Sequence, residues 1–172
     1  MTWWLRIAMI GSAVTGCALC LVGWSATAES TGACAPAREY LRAIQEHRYA
    51  DISTLFATDA VFLTPQGTVL RGAKQIGEFY STVIAPRRPQ ARGGVFIEGS
   101  RECAMELQLK VEFAADGHVQ LDAKGNLKLI PDGSNAPGRF VSAALDHFTV
   151  NTAGKFSRLA VYAAPPSYWD GE

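Results

Sequence analysis

Apolar residues recur along this chain with two different periods. After Pro36, which suits the first turn of a helix, Ala37, Tyr40, Leu41 and Ile44 fall at i, i+3, i+4 and i+7, one helical face. A second, shorter helix carries Ile52, Leu55 and Phe56. The spacing predicts a third helix over Gly72 to Ile84, with Ile76, Phe79, Tyr80, Val83 and Ile84 on one side and Pro86 and Pro89 stopping it. Between the second and third helices, "AVFLTP" and "TVLRG" read as strands joined by a turn at "QG". From Val95 onward the period becomes two. Met105, Leu107, Leu109, Val111 and Phe113 alternate with Glu106, Gln108, Lys110 and Glu112, as in a sheet with one buried face. "GVFIEG", "HVQLDA", "NLKLI", "RFVSAALDHFTVN" and "KFSRLAVYAA" also read as strands, separated by turn signals such as "DG", "KGN", "PDGS" and "NTAG". Helices first and strands later indicate α+β with an antiparallel sheet, not βαβ units.

One strand breaks its own pattern. Ala144, Phe148 and Val150 share a face with Asp146. A carboxyl among apolar neighbours is either a structural acid with a hydrogen-bond partner or a group directed at a ligand. His147 points to the opposite face of the strand, so it cannot pair with Asp146.

Length and charge narrow the field. The chain has 172 residues, 16 of them basic and 16 acidic. That length fits a single domain, and the charge balance argues against a nucleic-acid partner. No charge run, low-complexity tract or internal repeat is evident. Residues 1–28 are a different object. Arg6 precedes the apolar run Ile7 to Trp24, and Ala26 and Ala28 give an A-x-A cleavage pattern, so a signal peptide is predicted. The domain then spans 29–164, with a short tail over 165–172. An uncleaved membrane anchor is one alternative, since the run is nearly long enough to span. A lipoprotein is another, from "VTGC" at Val14 to Cys17, but the apolar run continues past that cysteine. Export places the protein in the periplasm or outside the cell, touching membrane only if the segment is uncleaved. Cleavage leaves Cys34 and Cys103 as the only cysteines, and an exported pair is expected to oxidise to a disulfide; two free thiols are the alternative. No cysteine or histidine has metal-ligand spacing, and neither a metal nor a cofactor is expected.

The layout of three helices, a hairpin between the second and third, and a long curved sheet resembles the nuclear transport factor 2-like fold. That group includes the ketosteroid isomerases and the SnoaL-like polyketide cyclases. "EYLRAIQEHRYADISTLFATDAVF" resembles their first two helices and first strand, and "GAKQIGEFY" their third helix. "LDHFTVNTAGK" is similar to the stretch that carries one of the isomerases' oxyanion-hole groups. The resemblance implies a cone whose sheet wraps the helices around a pocket, and a sheet-to-sheet homodimer. It puts Asp146 and Tyr40 at the two oxyanion-hole positions and Tyr80 at a further tyrosine bonded to them. Phe62, Thr64, Phe79 and Phe148 are then expected to face the ligand. The isomerases' general base, an acid before a proline, is here Thr64 in "TPQG". Ala114 to Gly138 resembles an insertion, expected to form an extra hairpin or lengthened strands.

Burial raises a carboxyl's pKa because desolvation penalises its charged form. Kept neutral, Asp146 would donate a hydrogen bond to a ligand oxygen, as in the ketosteroid isomerases, and Tyr40 would donate a second. Thr64 cannot serve as a base. Glu98, Glu112 and Asp122 read as solvated, and Arg87, Arg88 and Arg92 as a basic loop that is either solvated or meets an anion at the pocket mouth. The expectation is an exported protein that binds an apolar small molecule bearing a carbonyl or hydroxyl. An isomerase, cyclase or dehydratase with a different base is the alternative, and a non-catalytic dimerisation or interaction module a further one.

Overall fold

The computed structural model describes residues 32–164. The expected signal peptide and the tail over 165–172 lie outside the described residues. Helix α1 spans Ala35–Gln45 and buries Ala37, Tyr40, Leu41, Ala43 and Ile44, the face that the spacing predicts. Helix α2, Tyr49–Ile52, runs into a 3-10 turn at Ser53–Leu55. Phe56 is not part of this helix. It is extended, opens strand β1 (Phe56–Leu63) and pairs with Phe156, an aromatic contact that rewards the strand conformation.

Strand β2 (Val69–Arg71) returns to helix α3 (Gly72–Phe79). The third helix does not stay α-helical to Ile84. A π turn occupies Tyr80–Ile84, closed by the Ala85 N–H reaching the Tyr80 carbonyl, and a 3-10 turn follows at Ala85–Arg87. Pro86 has no N–H to continue an α ladder, and Arg88 leaves the wall with a left-handed backbone, φ 43°.

Strands β3 (Ala91–Glu98), β4 (Glu102–Val111), β5 (Arg139–Val150) and β6 (Phe156–Ala163) complete a six-stranded sheet in the order β2-β1-β6-β5-β4-β3. The sheet is mixed, not wholly antiparallel, because β1 and β6 run parallel. Period-two patterning sets which face of a strand is buried but not which neighbour it takes. The helices pack on one face over a core that includes Ile52, Phe56, Ile76, Phe148 and Phe156. Cys34 and Cys103 form a disulfide that ties the start of α1 to β4 across a separation of 69 residues. Closing a loop of that length stabilises a fold by about 4 kcal/mol on a chain-entropy argument.

The segment between β4 and β5 departs most from expectation. "HVQLDA" and "NLKLI" make isolated bridges, Phe113 to Val119, Leu121 to Leu127 and Val111 to Leu129, in place of strands. Their turns reveal an internal repeat that the sequence pattern does not announce. Ala114 bonds His118 and Asp122 bonds Asn126, eight positions on, and Gly117, Gly125 and Gly133 all adopt φ between 77° and 88°. Only glycine takes that conformation cheaply. The backbones of Glu112, Gln120 and Lys128 bond in a ring. Gln120 donates to Glu112 at 2.9 Å, Lys128 to Gln120 at 2.9 Å, and Glu112 to Lys128 at 3.0 Å. A closed ring has no room for a flat ladder, so regular strands do not form. Asp132 ties this array down, through its N–H to the Arg88 carbonyl (2.7 Å) and its carboxylate to His47 (3.4 Å).

Candidate functional site

The mixed sheet, the α3–π wall and the eight-residue array enclose a cavity of about 640 Å³. Its lining is mainly apolar. Phe62 comes from β1, Phe79, Val83 and Ile84 from the third helix, and Leu121, Leu127 and Leu129 from the array. Three polar side chains meet inside it: Tyr40 from α1, Tyr80 from the π turn and Asp146 from β5.

Each arrives there for a local reason. Tyr40 lies on the buried face of α1, held edge-on by Phe148 with ring centroids 5.3 Å apart. Tyr80 opens the π turn and stacks on Phe62 at 6.0 Å. Asp146 faces inward by strand parity, opposite Met105 and Val161. The tyrosine hydroxyls share a hydrogen bond of 2.7 Å. Asp146 is fully buried, yet neither carboxyl oxygen has a hydrogen-bond partner of normal geometry among the described residues. The nearby Tyr40 hydroxyl acts on it electrostatically without completing a standard bond.

Burial governs the protonation states. It raises the Asp146 carboxyl to about 7, against a smaller downward pull from the Tyr40 hydroxyl. Burial likewise holds both tyrosines above the ordinary phenol value, with the Tyr80 and Asp146 charges raising Tyr40 further. At neutral pH the trio therefore presents two phenol protons and a carboxyl that is readily protonated. It is built to donate to an oxygen.

Of the other side chains expected to face a ligand, Phe62 and Phe79 line the cavity, their rings edge-to-face at 5.5 Å. Thr64 and Phe148 do not line it. Phe148 stands behind Tyr40, fully buried and stacked on Phe156 at 4.5 Å. The Thr64 hydroxyl is turned into the β1–β2 hairpin, where it accepts the Thr68 N–H at 3.1 Å. Pro65 and Gln66 meet the cavity in its stead. Glu98, Glu112 and Asp122 stay outside the lining; Glu112 pairs with Lys128 and Asp122 caps its own turn through Asn126. Sequence reasoning missed the array's leucines as lining. Their alternation was legible, but the direction of that face was not. Of the three arginines, Arg87 lines the cavity, whereas Arg92 is held by Gln108 and lies over Phe140.

The sequence pattern of the SnoaL-like domain matches residues 37–159. The chain belongs to this family. No curated protein matches the SnoaL-like chain by sequence. Solved structures share its fold. SalBIII, an epoxide hydrolase/cyclase-like enzyme of pyran ring formation in the polyether salinomycin, superposes with a TM-score of 0.55 at 18% identity, covering 77% of this chain and 90% of that one. RV0760c from Mycobacterium tuberculosis, in complex with estradiol-17β-hemisuccinate, gives 0.54 at 21% identity, covering 77% and 93%. A candidate ketosteroid isomerase from Kribbella flavida gives 0.53 at 15% identity, covering 77% of each chain. The SnoaL-like domain here is thus the α+β cone of the nuclear transport factor 2-like group, with a curved, unclosed sheet. No helix among the described residues is long and apolar enough to cross a membrane, and the disulfide is compatible with an oxidising location.

Proposed function

We propose that this SnoaL-like domain binds an apolar small molecule through one carbonyl or hydroxyl oxygen, held by Tyr40 and Asp146. Tyr80 donates to Tyr40 and so frees the Tyr40 proton for the ligand. One observation carries the reading: a fully buried carboxyl faces the cavity with both oxygens unpartnered. Leaving such a group unsatisfied costs about 1–3 kcal/mol, and a ligand oxygen would recover it. That RV0760c, of like fold, is seen with a steroid ester makes estradiol a reasonable probe. Calorimetric titration should give saturable binding, weakened at least tenfold by Asp146→Leu. Absence of saturable binding, or equal binding by that variant, would overturn the reading.

A second reading has an observation of its own. Asp146, with a pKa of about 7, suits proton transfer at neutral pH, so an isomerase, cyclase or dehydratase could use it in place of the acid that Thr64 lacks. Steroid double-bond isomerisation is expected to run at background; robust turnover would favour the enzyme.

Export with cleavage near Ala28, a domain over 29–164 and a homodimer complete the proposal. The Cys34–Cys103 bond supports the first. A second copy would cover the outer sheet face, where the cross-strand partners Leu145 and Tyr162 are exposed together with Ile97. Sedimentation of the mature chain tests the dimer.

A further inference from the structure

The cavity's charged groups are unevenly placed. Its only lining carboxyl, Asp146, is on the floor, and its only lining cation, Arg87, is at the other end of the α3–π wall. Exposure rises along that wall. Tyr80 is buried, Ile84 half-buried and Arg87 exposed, so the wall runs from floor to mouth. Seven residues of helix separate Tyr80 from Arg87, roughly 10 Å along the axis. Arg87 makes no ion pair and no side-chain hydrogen bond with any described residue. Its neighbours differ. Arg92 bonds Gln108, Arg139 lies over Phe113, and Arg48 is bound by Glu39, Glu46 and Asp51. Gln66 and Asn126, the other polar lining groups, carry no charge that would compete for the guanidinium.

We propose that the preferred ligand is an amphipathic anion, an apolar body whose oxygen end meets Tyr40 and Asp146 and whose opposite end carries a carboxylate that pairs with Arg87. This rests on the reading of the cavity as a ligand site and adds the ligand's charge and polarity to it. The planar guanidinium accepts a carboxylate through two parallel N–H bonds. A neutral acid on the floor adds no negative charge to repel such a ligand. With Asp146 protonated, the lining carries a net positive charge from Arg87 alone. The orientation follows from the same asymmetry, because an anion placed on the floor would be desolvated among apolar walls with no cation to meet it.

Two probes test it, estradiol and estradiol-17β-hemisuccinate, which share a skeleton and a phenolic hydroxyl but differ by a carboxylate at the far end. At low ionic strength the hemisuccinate should bind about five- to tenfold more tightly, as a rim ion pair would give. Added salt should narrow the gap. Arg87→Gln should bring the ratio of the two affinities to about one, whereas Arg88→Gln, outside the lining, should keep it. Equal affinities in the wild type, or a preference that survives Arg87→Gln, would overturn the anion proposal and leave the cavity reading standing on estradiol alone. Failure of both steroids to bind would remove both.

Discussion

Thr64 and Asp146 are the buried polar side chains of the described residues, apart from the tyrosines, and they live in opposite circumstances. Around Thr64, everything is settled. Its N–H donates to the Thr68 carbonyl at 2.9 Å, its hydroxyl accepts the Thr68 N–H, and the hairpin closes on itself. Around Asp146, a carboxyl is held at zero exposure with nothing of the protein bonded to it in standard geometry. Burial alone therefore says little about function. A buried polar group whose bonds are complete serves the fold, and one whose bonds are open serves something else.

The largest effect that should separate the two regions is on stability against pH. Burial makes the folded protein hold the Asp146 proton more tightly than the unfolded chain does. Stability is then full below about pH 4, declines as pH rises to 7 and stays lower above it, by on the order of 4 kcal/mol for a pKa raised from 3.8 to about 7. Denaturant unfolding of Asp146→Asn should lack this decline, while Thr64→Val should retain it. A wild-type stability flat from pH 4 to 8 would break the comparison. Next in size, Tyr40→Phe should weaken estradiol about tenfold, or 1.4 kcal/mol, by removing one donor, and change thermal stability little. Smallest is Thr64→Val. It should cost about 1 kcal/mol of stability through the lost Thr68 bond and leave estradiol affinity where it was. A matching loss of affinity would mean that the hairpin shapes the cavity after all.

What could be read from the chain follows the same division. Helix α1 and strand β5 were legible because their periods are strong, and the parity of β5 alone turns Asp146 inward and His147 outward. The disulfide was legible from its compartment and the cysteine count. The turn of the Thr64 hydroxyl was not, because a torsion about one bond decides between cavity and hairpin. Nor was the parallel pairing of β1 with β6, where both strands carry the same pattern that an antiparallel pair would need. The repeat over 112–135 escaped because only its glycines and one apolar position recur. Phe113, Leu121 and Leu129 are equivalent, while the residues between them are chemically free. Such a sparse motif becomes visible only when Gly117, Gly125 and Gly133 share a backbone conformation.

The bond from Ala85 back to Tyr80 gives the third helix one residue more than an ordinary turn holds. That surplus is a phase setting. Deleting a residue within Tyr80–Ile84 would let the turn close as α-helix with no break in the wall, while everything beyond it swung by about 100° around the axis. Tyr80 would keep its place on the floor and Arg87 would rotate away from the mouth. A single codon thus stands between a cone that reads both ends of its ligand and one that reads only the buried end.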